Sequence, residues 1–489
     1  MKRRTAPRIL AALGLVGAIL LGSCGKSVDN RRVRVTVIED NPGAYRVSGA
    51  PLRTGPAMLR AAVAQGLVSF GSDGEIRPAL AQRWIVTDDG LSYIFRLADL
   101  RWNDGGTVDA AGVAVALRAR MRELRGSRFA GDLAAIKQVV PMTGDVIEVR
   151  LTEIKPSLLN ILAQPELGLV YDGAGSGPLK ALALDGVTQL KHRSPAASGE
   201  ATLKEPLIAI ADLRPAEAMI QFANGQSDLV VNGRFQHLAL LEASDVDQGR
   251  ISFDPVTGLF GLLVVHQDGF LSQPENREAI AMAIDRPKML TAFEKFVWRE
   301  STTISPIELQ NRARIGRPSW AALDNPTRQK GARARVAEWI ATHGPVQPLR
   351  VAMQQGAGAR ILFAYLKADL NRIGLDARQV KQGDAADLML IDEVADYDSP
   401  LWYLSRLSCH RVAVCSKEAD ALQEEARAAE TLGKRKQLLG EAERLMTVHS
   451  GYIPIAMPVR FALVRNGLKG FQPNYRGWHN LQFLGELPD

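Results

Sequence analysis

Pro78-Ala79-Leu80-Ala81-Gln82-Arg83-Trp84-Ile85-Val86-Thr87-Asp88-Asp89-Gly90-Leu91-Ser92-Tyr93-Ile94-Phe95-Arg96-Leu97 is the most informative stretch of this chain. Two strand-like runs flank Asp88-Asp89-Gly90, and an Asp-Gly turn between such runs signals a hairpin. In the second run Leu91, Tyr93, Phe95 and Leu97 share one face, and Ser92, Ile94 and Arg96 share the other. Arg101 to Thr107 reads as a turn, and Asp109 stands where a helix to about Leu124 would take its N-cap. Val113, Leu117, Met121 and Leu124 form one apolar stripe along that helix.

Outward from this segment the same mixture of strands and helices continues. Val33 to Ile38 alternates like a half-buried strand, and Asp40-Asn41-Pro42-Gly43 has turn chemistry. Residues 57–70 read as a helix leading into Leu67-Val68-Ser69-Phe70. Leu362, Leu366, Leu370 and Ile373 make a second helical stripe, with Gly374 at the C′ position.

The segment 78–121 resembles the signature of family 5 extracellular solute-binding proteins, the oligopeptide, dipeptide and nickel binders of ABC importers. Pro78, Leu80, Ala81, Trp84, Asp88 or Asp89, Tyr93, Phe95 and Leu97 carry the likeness, followed by Trp102, Asp104 and Gly105. Further matches keep the family's order. They are Gly175-Ser176-Gly177-Pro178, the run Ala218 to Val230 with Asn224-Gly225-Gln226-Ser227-Asp228, and the helix-like run Asn276 to Arg286. Leu370 with Ile373-Gly374-Leu375, then Ala395-Asp396-Tyr397-Asp398-Ser399-Pro400-Leu401-Trp402, and a helical region at about 416–449 before Gly451-Tyr452-Ile453-Pro454-Ile455 complete the series.

That resemblance implies an α/β, two-lobed periplasmic-binding-protein-like (class II) fold with an extra subdomain in the first lobe. Lobe one would combine residues 31–53, 176–262 and 467–489, with 54–175 as its subdomain and 263–466 as lobe two. Such lobes close on a ligand by hinge motion. Asp396 stands where peptide-binding members hold the α-amine of their ligand, and a carboxylate in a closing cleft suits an ammonium. Glu393 and Val394 would offer backbone groups to an extended peptide. Tyr397 and Trp402 are candidates for the pocket wall, with core packing as their other role, and Asp396 or Asp398 could equally cap a turn before Pro400. Glu393 departs from an aromatic common in peptide binders, Leu263 to Asp268 from an aromatic followed by Asn-Thr, and Ala98 from an arginine. These departures bear on the ligand more than on the fold.

The amino terminus reads as an address. Lys2, Arg3, Arg4 and Arg8 precede an uncharged apolar run from Ile9 to Leu21, short for a membrane span and suited to a signal peptide over 1–23. Leu21-Gly22-Ser23-Cys24 resembles a bacterial lipobox, with lipidation at Cys24 and a tether over 24–30; a plain secretory signal is the other reading. In an extracytoplasmic compartment Cys409 and Cys415 would by default form a disulfide, with free thiols or a metal site including His410 as alternatives.

Composition narrows the rest. The chain has 489 residues, too many for a single core, and its 46% hydrophobic and 23% charged content is that of a globular protein. The net charge of +7 falls to +3 once the four basic residues of 1–23 are set aside, which gives no case for nucleic acid binding. No nucleophile elbow, HExxH or phosphate loop occurs, and no catalytic set, metal or cofactor is expected, with nickel or haem binding by the seven scattered histidines gathered in a cleft as the open alternative. The expected partners are a peptide or other small solute, the permease subunits of an ABC importer, and the membrane through the lipid, with the protein a monomer on the periplasmic side of the envelope. The alternative from another class is a lipoprotein that keeps this fold as a sensor or envelope interaction module.

Overall fold

The computed structural model describes residues 32–40, 52–184, 187–192, 207–293, 298–309, 317–429 and 431–485. The signal peptide, the tether with Cys24, and residues 41–43 of the expected first turn lie outside the described residues.

Among the described residues three larger sheets organise the chain, beside two two-stranded ones. A seven-stranded sheet has Arg32–Ile38 near its centre, parallel to Leu207–Leu213 on one side and Leu229–Arg234 on the other. Val33, Val35, Val37 and Ile38 are all buried, as expected of a strand in a parallel region covered on both faces. A five-stranded sheet contains Gly258–Val264, Leu349–Met353, Ala377–Lys381, Leu388–Val394 and Tyr452–Ala456. The chain crosses between these sheets at 254–257 and again at 457–459.

The third sheet is the antiparallel unit built on the hairpin. Ala81–Val86 pairs with Ser92–Leu97, which pairs with Val146–Leu151 and through it with Ile136–Pro141. Gly90 makes the turn at φ +69°. Tyr93, Phe95 and Leu97 are buried against the helix Ala110–Glu123, through Val113 and Leu117. Asp109 caps that helix by accepting the Gly112 N–H at 2.7 Å. The face with Ser92, Ile94 and Arg96 is more open, as the alternation predicts.

Two elements differ in extent from the sequence reading. The first helix runs over Thr54–Val63, not from 57. Its Arg53 N-cap makes no side-chain cap; instead the Asp40 carboxylate accepts the Gly55 N–H at 2.9 Å, a cap delivered from a distant strand end. The run Asn276 to Arg286 is not one helix. Pro274–Ala283 ends, and Asp285 caps a second helix, Arg286–Thr291.

Gly177 marks a point of close approach. Its N–H donates to the Val63 carbonyl at 2.9 Å, and a Cβ there would meet the Ala62 oxygen at 2.3 Å. The strand leading back into the seven-stranded sheet can pass the helix end only as glycine.

Candidate functional site

The cleft lies where strands of both large sheets present their carboxyl ends, the usual ligand crevice of α/β folds. Arg32–Ile38 and Leu229–Arg234 end there from one side, and Leu388–Val394 from the other. The antiparallel unit closes it with the loop 125–128 and with Gln164, Pro165 and Glu166. The tail contributes Arg476 to Trp478. A cavity of about 500 Å³ results, large enough for a small solute. A second, of about 800 Å³, adjoins it through Arg128, Arg406 and Arg411. A third, of about 680 Å³, adjoins through Arg53, Arg234, Asp392 and Glu393.

Local irregularity aims one of these arginines. Pairing of Leu229–Arg234 with Arg460–Val464 shifts register between Val230 and Gly233, and Asn232 adopts φ +68°. Asparagine tolerates this left-handed conformation. Its amide donates to the Ile38 carbonyl at 2.7 Å, and its Oδ1 accepts from Thr54 at 2.9 Å and from Arg234 Nε at 3.1 Å. A bulge of this kind at a strand end redirects the next side chain, here Arg234.

Asp396 reaches the cleft and is 6% exposed. Its Oδ2 accepts from Trp402 Nε1 at 2.9 Å and from Arg406 Nη2 at 2.6 Å. Its Oδ1 lies 3.2 Å from Arg128 Nη2. Burial would raise the Asp396 pKa, but the Arg128 and Arg406 guanidiniums, with the Trp402 hydrogen bond, hold it below the ordinary value. The Asp396 carbonyl accepts from Arg476 Nη1 at 2.9 Å and Gln164 Nε2 at 3.3 Å. One residue of the five-stranded lobe is therefore bonded to the antiparallel unit and to the tail.

The other expected residues divide. Glu393 and Val394 line the cavity with Asp396. The Glu393 carboxylate is half exposed and stands 3.8 Å from Arg406 Nε. Trp402 is buried beneath the Arg406 guanidinium, whose carbon lies 5.0 Å from the ring centroid, and it borders the adjoining cavity. Tyr397 faces a separate cavity, with its hydroxyl donating to Asp132 at 3.0 Å. Cys409 and Cys415 are joined in the structure, with Cα atoms 5.1 Å apart. Their loop brings Arg411 to the cleft, where its Nη2 donates to the Arg128 carbonyl at 2.9 Å.

The arginines are what sequence reading missed. Among the described residues, Arg53, Arg128, Arg234, Arg406, Arg411, Arg460 and Arg476 line one cavity with the four carboxylates Glu166, Asp392, Glu393 and Asp396. They come from segments spread over the whole chain, so no local motif collects them. Asp392 and Arg460 form a buried pair at 2.8 Å that ties the two large sheets together. Among the described residues no cluster of three His, Cys, Asp or Glu could hold a metal ion, and no helix is long and apolar enough to cross a membrane.

His237, at the edge of the third cavity, gives a pH prediction. Burial first, then Arg234 and Arg460, lower its pKa to about 4, against an opposing pull from Asp392. Glu39 approaches its Nε2 at 3.8 Å. The unfolded chain therefore binds this proton before the folded one does. The contribution of His237 is complete above about pH 6.5 and is lost progressively as pH falls toward 4. At about pH 5 the loss should be about 2 kcal/mol, at about 1.4 kcal/mol per unit. Urea midpoints at pH 7 and 5 should separate further for the wild type than for His237→Gln, and equal separations would contradict the assignment.

Two lobes, each presenting strand ends to a shared cavity and joined by two crossings, define a hinge-type solute-binding protein. The family described as "Bacterial extracellular solute-binding proteins, family 5 Middle" matches residues 75–409, and the chain belongs to that family. A probable di/tripeptide-binding protein of Pseudomonas aeruginosa is 23% identical over 469 residues, covering 83% of this chain and 87% of that protein. A 71-residue stretch is 37% identical to the probable deoxycholate-binding periplasmic protein YgiS of Escherichia coli, but spans only 14% of this chain and 13% of that one. The murein tripeptide binding protein MppA of Escherichia coli superposes with a TM-score of 0.79 at 16% identity, covering 94% of this chain and 99% of the other, a likeness of fold.

Proposed function

We propose that this chain is the capturing component of an ABC importer, taking a peptide or chemically related small solute outside the cytoplasmic membrane and delivering it to permease subunits. The observation that carries this reading is the cleft, a cavity of about 500 Å³ left between the lobes and lined by polar side chains from both. An interaction module that had abandoned solute binding would have no need to keep that volume open. The di/tripeptide-binding relative and the murein tripeptide-binding neighbour support a peptide-like solute. Lobe closure would pivot on the crossings at 254–257 and 457–459. Native mass spectrometry of freshly purified protein should reveal a non-covalent small molecule released on unfolding. An empty protein that also binds nothing from a peptide and metabolite library would refute the reading.

The same proposal places the protein on the membrane as a monomer through an acylated Cys24. Several acyl chains together hold a protein stably at a bilayer. Cys24→Ala removes the only thiol of the Leu21-Gly22-Ser23-Cys24 box, and should leave protein that is unprocessed or washed free of membranes. A Cys24→Ala protein that is cleaved and retained like the wild type would overturn lipidation.

A further inference from the structure

We propose that the cleft binds a small solute carrying at least two oxyanionic groups, an acidic peptide or another polycarboxylate, and that Arg234, Arg411 and Arg476 are its charge contacts. The inference rests on the solute-binding reading and names the solute's class.

The charge balance of the cavity is the starting point. Of its carboxylates, Asp396 is matched by Arg128 and Arg406, and Asp392 by Arg460. Glu166 lies 3.1 Å from Arg128, and Glu393 stands 3.8 Å from Arg406. Among the described residues, every carboxylate of the site thus has a guanidinium partner. Arg234, Arg411 and Arg476 are left with no carboxylate within ion-pair distance among the described residues. Each is held by neutral acceptors instead. Arg234 bonds to the Asn232 amide oxygen, Arg411 to the Arg128 carbonyl, and Arg476 to the Asp396 carbonyl and, at 3.0 Å, the Asn160 amide oxygen.

Uncompensated guanidiniums in a partly dehydrated cleft are unfavourable unless a ligand supplies the counter-charge. Burial, and then neighbouring Arg460, pull the Arg234 pKa down to about 10, burial lowers Arg476, and partial burial with the nearby Arg406 lowers Arg411, whose side chain stays partly open to solvent. Arg234 and Arg411 are held by their hydrogen bonds, and Arg476 is stacked as well. The Arg476 guanidinium carbon lies 4.9 Å from the Phe70 ring centroid, and neighbouring Arg128 stacks likewise on Phe129 at 4.6 Å. Stacked guanidiniums lose little freedom on binding, and their forked donors match carboxylate and phosphate oxygens two at a time. A ligand ammonium at Asp396 would face two guanidiniums already bonded to that carboxylate. A cationic solute is disfavoured on the same grounds that favour an anion.

The test uses full-length protein purified in detergent, with calorimetry at low salt against citrate, triglutamate, pyrophosphate, trialanine and trilysine. Citrate or triglutamate should bind, more weakly as salt is raised, while trialanine and trilysine should bind at least tenfold less tightly or not at all. Arg234→Gln and Arg411→Gln should each weaken anion binding at least tenfold, with unfolding midpoints close to wild type for the exposed Arg411 position. Binding led by pyrophosphate would keep the oxyanion class and overturn the polycarboxylate. Equal or tighter binding of trialanine or trilysine, or anion binding untouched by both substitutions, would overturn the anionic solute and leave the solute-binding reading standing. If none of the five binds and native mass spectrometry finds the protein empty, both fall together.

Discussion

Asp396→Ala is expected to lower the unfolding free energy by about 3 kcal/mol, the lower end of the cost of removing one partner from a buried ion pair. The carboxylate is 6% exposed and serves Arg406 at 2.6 Å, Arg128 at 3.2 Å and the Trp402 indole at 2.9 Å. Its loss takes one partner from each of two guanidiniums and strands one buried N–H. Arg128 retains Glu166 and Arg406 retains Glu393 nearby, which holds the loss to the lower end of the range. Asp396→Asn keeps an acceptor for one donor and should lose less. Asp398→Asn, on an exposed side chain two residues on, should change little. Urea unfolding followed by tryptophan fluorescence makes the comparison, with the transition midpoints as the readout. If Asp396→Ala unfolds with the wild type while Asp398→Asn does not, the pairing described for Asp396 is wrong. A second consequence separates structure from binding. Because two arginines hold this carboxylate, its low pKa contributes stability that is full above the ordinary carboxylate range and is lost as pH falls through the lowered value.

Asp396 shows how far a sequence can be read here. Its place in the cleft was expected only from the likeness of Ala395-Asp396-Tyr397 and Pro400 to the family's element, and Asp396 does line the cavity. Its partners did not follow. Arg128 sits in a loop after the helix Ala110–Glu123, on a different part of the fold, and only the closure of the antiparallel unit over the five-stranded lobe brings it near. The hairpin at 81–97 was legible for the opposite reason: alternation, turn and register are all local, and Gly90 at φ +69° and buried Phe95 are where the pattern places them. Gly374, at φ +92° after the helix Ala357–Arg372, is equally local. The start of the first helix was misplaced because its cap, Asp40, is outside its own segment. A net charge of +3 beyond the signal peptide likewise concealed the cleft, since a whole-chain balance says nothing about where seven arginines converge.

Arg286→Leu should cost more than a surface arginine can, about 4 kcal/mol or failure to accumulate as folded protein, because each buried carbonyl left without a donor costs about 1–3 kcal/mol. Arg286 is 1% exposed and has no carboxylate within ion-pair distance among the described residues. Its guanidinium is spent on backbone. Nη2 donates to the Pro454 carbonyl at 2.7 Å and Nε to the same oxygen at 2.9 Å. Nε also reaches Ser301 O at 3.1 Å, and Nη1 reaches Ala281 O at 3.1 Å and Ile284 O at 3.3 Å. Burial, then repulsion from Arg328, lower its pKa to about 9, which still leaves it charged at neutral pH. The location explains the arrangement. Tyr452–Ala456 is the edge strand of the five-stranded sheet, and an edge with open carbonyls invites pairing with another chain. Pro454 fits there because proline within a sheet is confined to edge strands and bulges. Arg286 covers its carbonyl, and the Ser301 N–H covers the Ile455 carbonyl at 3.0 Å. An apolar replacement cannot balance this loss as it can for a pair of side chains, since the backbone carbonyls remain in place. Arg286→Lys keeps the charge but not the fork, so it should fall between wild type and leucine. Hydrogen exchange at 452–456 should rise in both variants before the seven-stranded sheet responds. Wild-type unfolding midpoints in Arg286→Leu would show that the sheet edge is closed by something other than this side chain.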